Sequence, residues 1–199
     1  MKYYRLKTNQ RQDEEFCFIE RPPESIYLLS SQIAKGKPAA QKYPVDESVV
    51  LKMSPKRGGR VLSDFIGTKN LSVIVSQPVM ETIKDACGDA CEYLPVSIEN
   101  HKGRIAASDY FYINPLGTFD VLDKDHSDIK YTDDGKVIRV RKYVLSGEKI
   151  KSIPPLFRVN ERDTYYFINE DLVSALSDAK PDLSNLNLEP IDVIEEKKQ

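Results

Sequence analysis

The sequence predicts an α+β fold with a mostly antiparallel or mixed sheet and a few short helices. Three observations point there. Residues 71–88 and 165–179 each read as a strand running into a capped helix, and residues 93–113 read as a hairpin. The composition, 40% apolar and 30% charged, is that of a globular chain and too apolar for disorder.

In chain order, Phe16-Cys17-Phe18-Ile19 is a short apolar run ended by Pro22 and Pro23, which cannot donate to a ladder: a strand and then a turn. Between 25 and 43, Ile26, Leu28, Leu29 and Ile33 are expected to line a short helix that Gly36 and Pro38 terminate. Ser48 to Met53, SVVLKM, is β-branched and apolar, a strand bounded by Ser54-Pro55 and Gly58-Gly59. Leu71 to Val75, LSVIV, reads as a buried strand. Ser76 is placed to cap the following helix and Pro78 sits in its first turn. Val79, Ile83 and Ala86 or Cys87 share one helical face, and Gly88 can supply the left-handed closing residue.

Residues 93–98 and 110–113 read as strands joined by the turn Glu99-Asn100-His101-Lys102-Gly103, with Pro95 marking an edge position or a bulge. Asp133-Asp134-Gly135 marks a second turn, feeding a strand over 137–145. There Ile138, Val140 and Val144 alternate with Arg139, Arg141 and Tyr143, which predicts one wet face. Ile153-Pro154-Pro155-Leu156-Phe157-Arg158 leads to a strand at 165–168. Asn169 then caps a helix built on Leu172, Val173 and Leu176, and Lys180-Pro181 ends it. The 199 residues are expected to form one α+β domain over 1–190, burying roughly 70% of the unfolded surface. A flexible tail, 191–199, is expected to follow, since IDVIEEKKQ has little to bury.

No apolar run approaches the roughly 18 residues of a membrane span, and MKYYRLKTNQRQDEEF lacks the apolar centre of a secretory signal. A cytoplasmic protein without membrane contact is expected, with Cys17, Cys87 and Cys91 as free thiols. The net charge of −2 is uneven: residues 1–70 carry 13 Lys and Arg against 8 Asp and Glu, and residues 71–199 carry 16 against 23. Such asymmetry suits either a partner surface or a solvated face.

Metal and catalytic readings find little support. Asp123 and Asp125 match the first and third positions of a calcium loop, but Asp128 stands where the turn needs Gly and Asp134 where it needs Glu. Cys87, Cys91, His101 and His126 lack the spacing of a zinc site. The two His lie in polar, turn-like stretches, and no sequence feature marks an apolar pocket that would split the pKa values of Asp120 and Asp123. No catalytic residue, metal or cofactor is expected.

The ordered series VSQPV at 75–79, EYLPVSI at 92–98, YFYINP at 110–115, DVLD at 120–123, and PLFR at 155–158 followed by YFINEDLVSAL resembles a bacterial immunity-protein family. That family accompanies polymorphic and contact-delivered toxins, type VI secretion among their routes. The resemblance covers roughly Asp64 to Leu176, within a part spanning 64–180, and residues 1–63 match weakly. It implies a non-enzymatic protein that binds one cognate toxin or effector, encoded nearby, and blocks it. The matched residues read as structural: Pro95 and Pro115 shape strand ends and Phe157 fills core.

For the inhibitory surface, charge density points to residues 120–134. Asp120, Asp123, Asp125, Asp128, Asp133 and Asp134 stand there against Lys124 and Lys130, with Tyr131 as a possible aromatic anchor. A solvated connection between strands is the simpler alternative. The rival class is a nucleic-acid-binding module using Lys56, Arg57 and Arg60, with Lys52 and Lys69 nearby. The net negative charge and the absence of tryptophan weigh against it.

Overall fold

A computed structural model of the chain describes residues 1–8, 15–44, 48–57 and 59–195. In chain order the elements are β1 (Tyr3–Lys7), β2 (Phe18–Ile19), α1 (Tyr27–Ala34), β3 (Val50–Lys52), β4 (Phe65–Thr68), β5 (Val73–Ser76) and α2 (Gln77–Cys87). There follow β6 (Cys91–Glu99), β7 (Ile105–Pro115), β8 (Asp128–Tyr131), β9 (Val137–Lys142) and β10 (Val144–Ser146). The chain continues through β11 (Leu156–Val159), β12 (Arg162–Asn169), α3 (Glu170–Ala179) and β13 (Asn187–Ile194). This is an α+β fold with mixed and antiparallel sheets and short helices. Gly58 of the expected basic turn and residues 196–199 of the expected tail lie outside the described residues.

Six strands form one sheet in the order β2-β4-β5-β7-β6-β3. Its two outer strands meet through an antiparallel bridge between Ile19 and Met53, with Ser54 N donating to Phe18 O at 2.8 Å. The sheet therefore curls back on itself. Its strands sort their side chains with period two. Ile66, Ile74, Leu94, Val96, Ile98, Tyr110 and Tyr112 point into the curl, where Ile26, Leu29 and Ile33 of α1 join them. Phe65, Val73, Val75, Cys91 and Ile113 point the other way, onto α2, α3 and the second sheet. Burial on both faces explains why the fifth strand reads as an unbroken apolar run.

Pro95 sits where the sequence reading places it. Strand β3 pairs with β6 only from Ser97 to Glu99, so the outer side of Pro95 has no neighbouring strand, and the β6–β7 register shifts after Val96. The α1 expectation needs one correction. Ile26, Leu29 and Ile33 are buried, but Leu28, one helical position off that stripe, is 80% exposed. Ser76 is corrected too: its hydroxyl makes no cap and instead donates to Asp64 Oδ1 at 2.9 Å. Asn169 does cap α3, accepting from Leu172 N at 3.0 Å. The strand expected over 137–145 is broken at Tyr143 into β9 and β10, which belong to different sheets.

The second sheet has the order β10-β13-β1-β12-β11. Its central strand, β1, comes from the first seven residues and pairs with β12 and β13 on either side. Residues 191–194, expected in the loose tail, are instead the end of β13. Ile191 faces Tyr3, and Asp192, Val193 and Ile194 run parallel to Val144, Leu145 and Ser146. Tyr166, Ile168 and Leu156 face the first sheet, while Phe157, Val159 and Phe167 face a third core with Val121, Leu122 and Tyr143.

Two polar clusters tie these layers. Asp64 receives Ser184 N at 3.0 Å, Ser184 Oγ at 2.7 Å, Ser76 Oγ and Lys180 Nζ, fastening the segment after α3 to β4. Burial pushes its carboxyl up, but these donors outweigh that and hold it below the ordinary 3.8. The other cluster surrounds Arg158, whose side chain is fully buried. Its guanidinium donates to Pro115 O at 3.2 Å, Ala34 O at 2.9 Å, Ile33 O at 3.0 Å, Asp163 O at 2.6 Å and Tyr166 Oη at 2.7 Å. Tyr166 Oη donates onward to Ile113 O at 3.2 Å. Gly36 is obligatory beside it: φ is +70°, and a Cβ there would stand 2.9 Å from Arg158 Cδ and 2.8 Å from Pro115 O.

Replacing Arg158 with Met strands buried carbonyls of α1, β7 and β12. We expect a loss of about 3 kcal/mol or more, which at about 2–4 °C per kcal/mol lowers Tm by about 6–12 °C in thermal unfolding. Arg158→Lys should restore little of it, because one ammonium cannot reach acceptors on three elements.

Candidate functional site

The acidic segment begins at a firmly held point. Phe119 N donates to Arg158 O at 2.9 Å, and Val121 and Leu122 are buried in the third core. Leu122 bridges Leu145, and Asp123 N donates to Val144 O at 2.9 Å. With 121 and 122 turned inward, Asp120 and Asp123 flank the anchor. Past it the chain makes one tight turn and enters the β8–β9 ribbon, a two-stranded sheet that shares no ladder with the other two.

The six aspartates do not form one bare negative surface. Asp123 accepts from Asp125 N and His126 N, both at 3.1 Å, and lies 3.0 Å from His126 Nδ1. It shapes the turn. Asp120 is bracketed by Lys149 Nζ at 3.3 Å and Lys124 Nζ at 3.4 Å. Partial burial pushes its carboxyl up, yet the two lysines leave it below the ordinary value. Asp134 holds Lys136 at 2.6 Å and the Thr132 hydroxyl, donors that lower its carboxyl as well. Asp128 faces Arg141 at 3.9 Å. Among the described residues, no ion pair engages Asp125 or Asp133.

Their cations come mainly from outside the strands, Lys124, His126, Lys136 and Lys149, while β9, which folds back on β8 with Lys130 opposite Arg139, supplies Arg141. Over residues 120–142 six Asp meet six Lys and Arg, so the local charge balances. Ile129 and Val140 root the ribbon on the third core. Toward the turn, Tyr131 is 42% exposed and Ile138 51% exposed. The expected alternation of 137–145 fails here because both faces of the ribbon's far half meet water.

The basic residues of the rival reading are scattered among partners. Lys56 Nζ lies 3.4 Å from Glu20, and the Arg57 guanidinium lies 3.7 Å over the Phe18 ring. Arg60 is placed by its backbone N–H on Glu15 O, and Lys52 pairs with Glu99 at 3.3 Å. His101 Nε2 contacts Ser54 O at 3.1 Å. Cys17, Cys87 and Cys91 are buried free thiols. Among the described residues, no group of three or more His, Cys, Asp or Glu is placed to hold a metal ion. No described helix is long and apolar enough to cross a membrane.

A feature that sequence reasoning missed lies beside α1. An open groove of about 710 Å³ runs between the outer side of that helix and residues 19–22 and 68–70. A smaller hollow of about 430 Å³ lies across Glu20, Arg21 and Pro22 from it. The available signal was Tyr27-Leu28, two apolar residues where a surface helix needs only one apolar stripe.

A model of the Imm11 immunity protein family matches residues 2–193, so the first 63 residues, expected to match weakly, lie within the match. No curated protein matches the chain.

The turn at Asp123 carries a pH dependence. The His126 hydrogen bond, with the amides of His126 and Asp125, holds the Asp123 carboxyl below the ordinary 3.8. A depressed folded pKa means that the ionised carboxylate supports the turn above that ordinary value, and the support is lost as pH falls through the lower folded value. In an NMR titration, the Asp123 carboxyl midpoint should lie below 3.8, with amide exchange at Asp125 and His126 accelerating through the same window. A midpoint at or above 3.8 contradicts this role.

Proposed function

The chain belongs to the Imm11 immunity protein family, and from that premise we propose that it is a stoichiometric inhibitor of one cognate toxin encoded nearby. The family membership carries this reading. On it, the protein works in the cytoplasm of the producing cell, in a contact-delivered toxin system, and neutralises its target by covering the toxin's active site. It needs no cofactor and performs no chemistry of its own.

The β8–β9 ribbon and its lead-in are the surface we assign to the toxin. Interface energy concentrates in a few aromatic and apolar anchors ringed by polar groups. Tyr131 and Ile138, exposed near the ribbon's turn, have that character. Asp125 and Asp133, whose charges are not spent on ion pairs among the described residues, are the carboxylates offered to a basic cleft where substrate phosphate would otherwise lie. Asp120, Asp123, Asp128 and Asp134 serve by holding the turn and ribbon in shape.

Co-expression with the neighbouring toxin gene tests both levels. The expected results are a co-purifying 1:1 complex and arrested growth when this protein is withheld. Combining Asp125→Lys, Tyr131→Ala and Asp133→Lys should weaken binding by at least about tenfold with little change in Tm. Absence of both complex and toxicity overturns the function; undiminished binding by the triple variant overturns the ribbon assignment.

A further inference from the structure

Helix α1 is apolar on two sides. Its inner side, Leu29 and Ile33 with the preceding Ile26, closes over the curled sheet. On its outer side Leu28 is 80% and Tyr27 63% exposed, the former the most exposed large apolar side chain among the described residues. Single exposed apolar residues are ordinary, but an adjacent pair on the wall of a groove is the composition of a binding surface. The groove is also lined by Ile19, Ala34 and Tyr112, all buried, beside the buried Ser30 and Thr68, so its base is part apolar.

The rim is cationic. Arg21, Lys35 and Lys69 line the groove, and Lys52 and Lys56 line the smaller hollow beside it. Among the described residues Glu20 is the one carboxylate lining either, and it is already engaged by Ser54 at 3.3 Å, Lys56 at 3.4 Å and Lys69 at 3.9 Å. Among the described residues, Arg21 and Lys35 have no carboxylate partner. Pro22 and Pro23 fix the backbone of the strap between the two hollows, so the surface is preformed.

We propose that this groove is a second docking site for the cognate toxin, receiving a short apolar segment flanked by Asp or Glu side chains. The assignment rests on the immunity reading and adds the chemistry of the segment that is recognised. Leu28 and Tyr27 supply the apolar contact; Arg21, Lys35 and Lys69 select the acidic flanks and speed encounter. Leu28, on the groove's wall and 80% exposed, calls for a partner that fills the groove and also lies across α1, as a protein segment does. The chain just past the groove's Lys35 is tied to the lead-in of the ribbon, since Gly117 N donates to Gly36 O at 2.8 Å, three residues before Asp120. One partner engaging both sites gains affinity from each, and a tight pair buries about 1,600 Å² in total.

The experiment is calorimetric titration of the adjacent-gene toxin, recovered from the wild-type complex, into wild type, Leu28→Glu and Arg21→Glu/Lys35→Glu. Both variants change exposed residues and should keep the wild-type Tm. Leu28→Glu should weaken binding by at least about thirtyfold, and the double variant by at least about tenfold with a flatter salt dependence. Wild-type affinity in both, with the ribbon triple variant impaired, overturns the groove and leaves the immunity reading intact. A wild type that binds no toxin removes both. A wild-type dimer abolished by Leu28→Glu, or nucleic-acid binding abolished by the double variant, overturns the proposal in favour of a second copy or of nucleic acid.

Discussion

The buried guanidinium of Arg158 is the constraint on which the arrangement of this molecule turns. It belongs to β11 in one sheet, yet its hydrogen bonds go to the C-terminal carbonyls of α1 and to the end of β7 in the other. Among the described residues no carboxylate stands among its acceptors. The charge is met by carbonyl dipoles, two of them at a helix C-terminus where the partial charge is negative, and by the Tyr166 hydroxyl beneath it. A buried charge left unpaired is costly, so relative movement of α1, β7 and β11 is penalised at one point. Gly36 shows how tightly the site is drawn, because no side chain fits where it stands.

Both candidate surfaces depend on that latch. Phe119 N bonds to the carbonyl of Arg158 itself, and from there the chain runs through Val121 and Leu122 to the ribbon. On the other side, the guanidinium caps the carbonyls of Ile33 and Ala34, the last residues of the helix that presents Tyr27 and Leu28. A rigid connection between two patches suits a protein whose proposed work is to fit one partner without rearranging, since preorganisation spares the cost of ordering on binding.

Short-range features of the fold were legible in the sequence, and long-range ones were not. Asn169 announces α3 because a cap acts within three residues, and LSVIV followed by Pro78 announces β5 and α2 for the same reason. Strand β1 leaves no comparable mark: its partners lie more than 150 residues away, and its Arg5 and Lys7 disguise a central strand. The tail misled in the same way, since IDVI pairs across distance with Val144 and Tyr3. Arg158 itself reads as a surface cation after Phe157, and only the carbonyls gathered from three elements make its burial tolerable. In the candidate site, the aspartates were plain by composition. Their partners were only partly legible: Lys124, His126 and Lys136 lie close in sequence, but Arg141 and Lys149 come alongside Asp128 and Asp120 only once the chain has folded.

Hydrogen exchange of the protein free and bound to its co-expressed toxin would test the central claim most directly, that the ribbon and the α1 groove both meet the toxin. Slowed exchange over residues 19–35 and 128–142, with α2 and α3 unchanged, is the expected result. Slowing confined to α2 and α3, with both patches exchanging as in the free protein, would contradict it.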